Sequence, residues 1–339
     1  EDSIAYFIYE AIIEDELLVL KKQDRRKFKI EEALTSKKIV SLRHALLNFI
    51  VGGIIRRMQE KQNGERPRKY SFIVHTEQGK AAHEWQETIV NEIKALLRLS
   101  IDEDLVLVND LIEESYNSLT KSLLLLDCDI PSFEQVKNEV TIALKKDYLT
   151  ITKVNSEKDV SQLLDETGQL KLRTPLNIFI GGQILDRGIT IGNLIGFYYG
   201  RNPKTFQQDT VLQHSRMFGY RPFEDLAVTR FYTTSKIYEV MKKMHDFDSA
   251  LRDAFERGTN DNGVVFIQKD NKNHIIPCSP NKLLLSKTTT LKPMKRLLPV
   301  GFQTGYKTHI SKIVKELDLV IDEYSHHSEE PFLLDLKVA

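Results

Sequence analysis

Two short apolar runs, residues 177–180 and 194–199, constrain this chain more than anything else in it. They read as strands, and a helical stretch at 205–212 follows the second. Apolar strands alternating with helical stretches predict parallel α/β layering. In sheets of that kind, ligands sit at the loops that leave the carboxyl ends of the strands.

Those loops carry distinctive residues. Gly181 and Gly182 follow the first strand directly, and adjacent glycines allow a close approach of the main chain to a ligand. Asp186, Arg187, Gly188, Ile189 and Thr190 then place an acid, a base, a glycine and a hydroxyl together. Taken alone, this segment is equally a plain turn with a surface ion pair. Farther on, Gln213 precedes Arg216 and Arg221, with Gly219 between the arginines. Guanidinium groups present a rigid donor fork suited to phosphate oxygens, so this turn is a candidate phosphate clamp. The plainer alternative is a pair of solvated arginines.

The segments GGQILDRGIT and RNPKTFQQDTVLQHSRMFGYRP resemble the Z-one domain, a bacterial family that carries an endonuclease label. That family is related to the second RecA-like domain of superfamily-two helicases. ILDRGIT resembles helicase motif five, QHSRMFGYR resembles motif six, and the likeness runs from about Ser41 to about Thr308. The resemblance implies a RecA-like parallel sheet with helices on both faces, and a motor half whose arginines reach ATP and magnesium held mainly by an upstream domain. Arg216 is the better candidate for the arginine finger and Arg221 the second. Asp186, Arg187, Gly188, Thr190 and Gln213 would lie near the nucleotide, and His75, Thr76, Gly182, Gln183 and Arg201 near a DNA strand. The pattern departs from ordinary helicases in three places. Gln213 lies three residues before Arg216 where four is usual, Gly219 occupies the usual place of the second arginine, and Thr190 stands where many helicases carry an aspartate.

The 339 residues, 41% of them hydrophobic, suffice for one large or two ordinary domains. Forty-eight basic side chains balance 48 acidic ones, so nucleic acid would be engaged through local patches. Cys128 and Cys278 form no CxxC pattern, which favours a reducing cytoplasm and supplies no thiolate metal site. Neither a targeting pattern nor a long apolar run occurs, and no membrane partner is expected. The first residue is not methionine, and the chain reads as a fragment of a longer protein.

Three regions are expected. Residues 1–65 read as a helical segment, in which Leu42, Ala45, Leu46, Phe49, Ile50 and Ile54 form one buried stripe, interrupted by Gly52 and Gly53. Residues 66–240 read as the RecA-like domain. Its first strand begins at Tyr70 and its first helix carries Trp85, Ile89, Ile93 and Leu96 on one face; a helical insertion spans about 100–146, and a strand runs from Ala227 to Tyr232. Residues 241–339 read as a small α+β extension that ends in a helix with Ile310, Ile313, Val314, Leu317 and Ile321 on one face. Basic clusters at 21–27 and 287–296 are candidate phosphate contacts or solvated loops.

No GxxxxGK[ST] occurs, and Gly79-Lys80 fails as a phosphate loop because Val74 stands where glycine is required and Ala81 follows the lysine. The chain is therefore expected not to hydrolyse ATP alone, but to serve as the second half of a DNA helicase or translocase in bacterial DNA processing or defence. Possible partners are DNA, the upstream domain and other defence proteins. Two alternatives stay open: a metal-dependent endonuclease, for which Glu256, Asp261 and Lys269 are the nearest weak arrangement, and a non-catalytic scaffold.

Overall fold

The computed structural model describes residues 2–24, 26–77, 79–155, 159, 161, 163–164, 171–181, 191, 193–201, 221–256 and 307–325. Among the described residues, six strands form one parallel sheet of RecA-like α/β type, in the order β1 (Tyr9–Ala11), β6 (Arg230–Thr233), β5 (Leu194–Tyr199), β2 (Tyr70–His75), β4 (Leu176–Ile180), β3 (Leu149–Lys153). All five strand pairings are parallel. The three central strands, β5, β2 and β4, are buried at every residue, as a parallel sheet covered on both faces requires. This is why their sequences read as apolar runs without alternation.

Along β2, Tyr70, Phe72 and Val74 face the larger core, while Ile73 faces a smaller one. The larger core is roofed by α3 (Val40–Gln62), which crosses β5 and β6, and by α4 (Lys80–Glu103), which lies on β3 and β4. Both rest on α5 (Leu105–Leu123) and α6 (Phe133–Lys145). The smaller core takes Leu163, Ile191 and Ile237, the last from α8 (Ser235–Glu256). Two short helices, α1 (Ile4–Ile8) and α2 (Glu14–Lys21), flank β1, and α7 (Phe223–Val228) precedes β6.

Local chemistry accounts for these helices. Trp85, Ile89, Ile93 and Leu97 recur at four-residue spacing along α4 and are buried. At about 1.5–3 kcal/mol for each large side chain buried, that stripe adds to a sequence already rich in the helix formers Ala, Leu, Glu and Lys. Helix α6 starts on a capping box: the Ser132 N–H donates to Gln135 Oε1 at 2.9 Å, and Ser132 Oγ accepts from the Gln135 N–H at 3.4 Å. Helix α3 is buried nearly all round, because Leu47, Val51 and Ile55 are covered along with the expected stripe. Gly53 is what lets it settle on the sheet, since a Cβ there would collide with Leu176.

Three sequence expectations need correction. Residues 1–65 are not a separate helical segment, because Tyr9–Ala11 is the edge strand beside β6 and α3 belongs to the main core. A three-residue strand between helices is too short to show any periodicity. The strand expected from Ala227 to Tyr232 is the end of α7 followed by β6. No boundary falls at 240, which α8 crosses; the chain divides instead into two compact units, Glu1–Ser279 and Pro280–Ala339. In the second unit the expected terminal helix is present as α9 (Lys307–Ser325). The small strand pair expected at 264–276 lies outside the described residues.

Candidate functional site

At the carboxyl edge of the sheet, the ends of β2, β5 and β6 meet α2 in a cleft of about 410 Å³. Thr76 and Glu77 follow β2, Gly200 and Arg201 follow β5, Thr234 follows β6, and α2 presents Glu14, Asp15, Leu17, Leu18 and Lys21. Thr76 Oγ1 accepts from Gln86 Nε2 at 2.6 Å, and Thr234 Oγ1 accepts the Ile237 N–H at 3.3 Å, so each hydroxyl keeps its own proton to donate elsewhere. Lys21 pairs with Glu77 at 3.0 Å. Three carboxylates face two cations here, which makes the cleft a place for hydrogen-bonding polar groups, with Arg201 its best contact for an anion.

The described residues beside the cleft are closely fitted. Gly181, the first residue after β4, has φ +131°, and a Cβ there would collide with the Val154 carbonyl, so a glycine is required. His83 bridges two loops, with Nδ1 2.6 Å from Asn155 Oδ1 and Nε2 2.7 Å from the Glu77 carbonyl oxygen. Beneath the cleft, Glu16 receives the N–H groups of Ser41 and Leu42 at 2.9 and 2.6 Å and the Tyr198 hydroxyl at 2.8 Å. Its carboxylate thus caps α3 from another helix. Burial raises its pKa, against hydrogen bonds that favour the ionised form.

The opposite, amino edge is built differently. Asp225, wholly buried, binds Arg56 Nε at 2.8 Å and Arg68 Nη2 at 3.2 Å through Oδ1. Glu60 takes Arg68 Nε and the Tyr70 hydroxyl, each at 2.6 Å. Burial, the Asp225 charge and the bond to Glu60 hold the Tyr70 phenol far above its ordinary range. Arg221 joins this cluster. Its Nη2 donates to the Ile191 carbonyl oxygen at 2.7 Å, and burial lowers its pKa while the Asp225 charge works the other way.

The structure therefore brings Thr76 and Arg201 into one cleft and puts Arg221 at the other end of the strands. His75 lies in the interior with its ring 5.7 Å from that of Tyr199, so its buried side chain offers no surface to a DNA strand. Gly182, Gln183, Asp186, Arg187, Gly188, Thr190, Gln213 and Arg216 lie outside the described residues. The cleft's contribution from α2 went unseen in sequence, although the acid run Glu14-Asp15-Glu16 ahead of apolar residues is a helix-start signal.

Among the described residues, no group of three or more His, Cys, Asp or Glu is placed to hold a metal ion, and no helix is long and apolar enough to cross a membrane. Nor do they fit a triphosphate: the cleft is acidic, and the loop after β2 lacks a glycine cradle. The family model of the Z1 domain matches residues 41–265. The chain belongs to the Z1 domain family. Its shared region stops short of the expected limit near Thr308 and takes in five of the six strands, leaving out β1. No curated protein and no solved structure matches the chain.

Proposed function

We propose that this Z1 chain is the second motor half of an ATP-dependent DNA helicase or translocase that acts in bacterial DNA processing or defence. One observation carries the reading. In an all-parallel sheet, the segments holding nearly all the expected nucleotide and nucleic-acid contacts begin where three adjacent central strands end: residues 181–190 after β4, 200–220 after β5 and Thr76 after β2. Glycines follow both β4 and β5, and two arginines lie in the second segment. Because the described residues offer no triphosphate cradle, the nucleotide would be held by another domain, with Arg216 reaching toward its terminal phosphate.

The test is DNA-stimulated ATP hydrolysis by the full-length protein, wild type against Arg216→Ala, with metal-dependent DNA cutting read in the same reactions. An arginine finger predicts a loss of about a thousandfold. Hydrolysis that survives the substitution, or is absent from the wild type, would sink the motor reading. Cutting without ATP would then promote the nuclease, and neither activity would leave a scaffold.

A further inference from the structure

One buried side chain decides which way a hydroxyl of the cleft points. Gln86, wholly buried on α4, donates through Nε2 to two acceptors at once, Thr76 Oγ1 at 2.6 Å and the Leu20 carbonyl oxygen at 3.3 Å. A carbonyl oxygen carries no proton, so the amide must turn its NH2 group toward Leu20, and the same nitrogen then meets Thr76. The opposite orientation would set two oxygens without protons against each other. The amide keeps this orientation although it leaves Gln86 Oε1 buried with no partner among the described residues. Leu20 is itself fixed: its side chain is wholly buried, and Trp85 Nε1 donates to the preceding carbonyl oxygen, that of Val19, at 2.8 Å.

Thr76 is then left with one thing to offer. Its Oγ1 accepts from Gln86, so its own proton points away from the amide, and that proton has no acceptor among the described residues. Thr76 is 3% exposed and lines the cleft, where such a proton is costly unless something accepts it. Thr234 repeats the arrangement: Oγ1 accepts the Ile237 N–H, and its proton is likewise without an acceptor among the described residues. His75 stands opposite Tyr199 in the sheet, so Thr76 falls beside Gly200 and next to Arg201. Two hydroxyl donors and a guanidinium thus stand along the strand ends.

We propose that Gln86 is a positioning residue: it fixes Thr76 as a hydrogen-bond donor, so that the strand-end wall of the cleft takes the phosphate oxygens of a DNA strand. The ligand rests on the DNA partner of the motor reading; the polarity of Thr76 does not. Phosphate oxygens only accept, which is what two donors and a cation suit, whereas donor groups of a ligand would find Glu14 and Asp15 on the α2 wall. Leu20 precedes residue 41, where the shared Z1 region begins, so the setting depends on a helix outside that region. The plainer role for Gln86 is a tie between α4 and α2, and that role makes no use of the Thr76 hydroxyl.

The experiment uses the full-length protein and measures its affinity for a labelled DNA oligonucleotide, in whichever form binds more tightly, single-stranded or duplex. Gln86→Met, which keeps the length of the side chain and removes the donor, is compared with Thr76→Val and with the double variant. Thr76→Val should weaken binding about fivefold and Gln86→Met about threefold, each within the worth of one net hydrogen bond. The double variant should bind no more weakly than Thr76→Val, because without the hydroxyl Gln86 has nothing to orient. A mere tie between helices would lower the unfolding temperature in Gln86→Met, but any effect on binding would add to that of Thr76→Val. If Gln86→Met does not fold, Gln86→Glu is read at pH 9, where an ionised carboxylate takes the Thr76 proton and turns the hydroxyl's lone pairs toward the cleft. Binding should then fall about tenfold, and much less in the Thr76→Val background. Additive losses in the double variant, or full affinity in Thr76→Val, would overturn the donor. A wild type that binds no DNA would remove the phosphate ligand together with the DNA partner. Hydrolysis that survives Arg216→Ala would instead overturn the motor reading and leave the coupling of Gln86 to Thr76 in DNA binding standing by itself.

Discussion

The two ends of the sheet handle charge in opposite ways. At the amino edge, Arg56, Glu60, Arg68, Tyr70 and Asp225 share one mostly buried network in which Glu60 and Asp225 accept several donors at once. At the carboxyl edge, Glu14, Asp15, Lys21, Glu77 and Arg201 line an open cleft, and the one ion pair among them is well solvated. Buried charges are expensive to rearrange, whereas solvated ones move at little cost. The amino edge is therefore suited to locking α3, the start of β2 and α7 together, and the carboxyl edge to accepting a partner.

The most damaging way to break this contrast is to remove the centre of the buried network. Asp225→Ala leaves Arg56 and Arg68 without their shared carboxylate, and urea denaturation should show a loss of about 3–5 kcal/mol. A loss below about 1 kcal/mol would mean that the amino edge is no more rigid than the surface.

Glu16 comes next, since it caps α3 beneath the cleft. Glu16→Ala should cost about 2 kcal/mol, because two buried N–H groups at the start of α3 lose their acceptor. Its pH dependence has a definite sign. The native pKa is raised, so the native state binds this proton more tightly than the unfolded chain. The resulting stabilisation is complete below the ordinary glutamate value and disappears as pH rises through the native value. The difference in urea midpoint between wild type and Glu16→Gln, followed from pH 4 to 8, should therefore shift against the wild type as pH increases. A shift in its favour would contradict the burial effect.

Smaller effects belong to the cleft. If Arg201 meets a DNA phosphate, Arg201→Ala should weaken binding at low salt and reduce the slope of log affinity against log salt by about 1. An unchanged slope would turn attention to the hydroxyls of Thr76 and Thr234. Lys21→Ala should change stability by no more than about 0.5 kcal/mol, because its pair with Glu77 is solvated. A larger loss in thermal unfolding would show that the carboxyl edge is also built on charge.

What could be seen in the sequence follows this same division. Strands β2, β4 and β5 were legible because burial on both faces removes polar residues from them, and α4 because its apolar stripe recurs turn after turn from Trp85 to Leu97. Thr76 and Arg201 could be placed together because each directly follows one of those strands or stands one residue beyond it. The position of Arg221 was not legible: its partner is a main-chain carbonyl, which carries no residue identity. The Asp225 network was hidden by distance, since Arg56 and Asp225 stand 169 positions apart. β1 escaped notice because three residues between helices show no period, and the end of α7 was read as strand because Ala227 and Val228 are apolar neighbours of a true strand.

That short first strand also sets the order of assembly. Tyr9 pairs with Phe231, and its hydroxyl lies 3.4 Å from that of Ser235, 226 positions along the chain. On a ribosome adding about 5–20 residues per second, β1 waits on the order of ten to forty seconds before its partner strand exists. Until then the apolar side chains around β1 have only temporary neighbours, and closing so long a loop brings little reward before the other strands are in place. This edge of the sheet therefore cannot close until Arg230–Thr233 has been made.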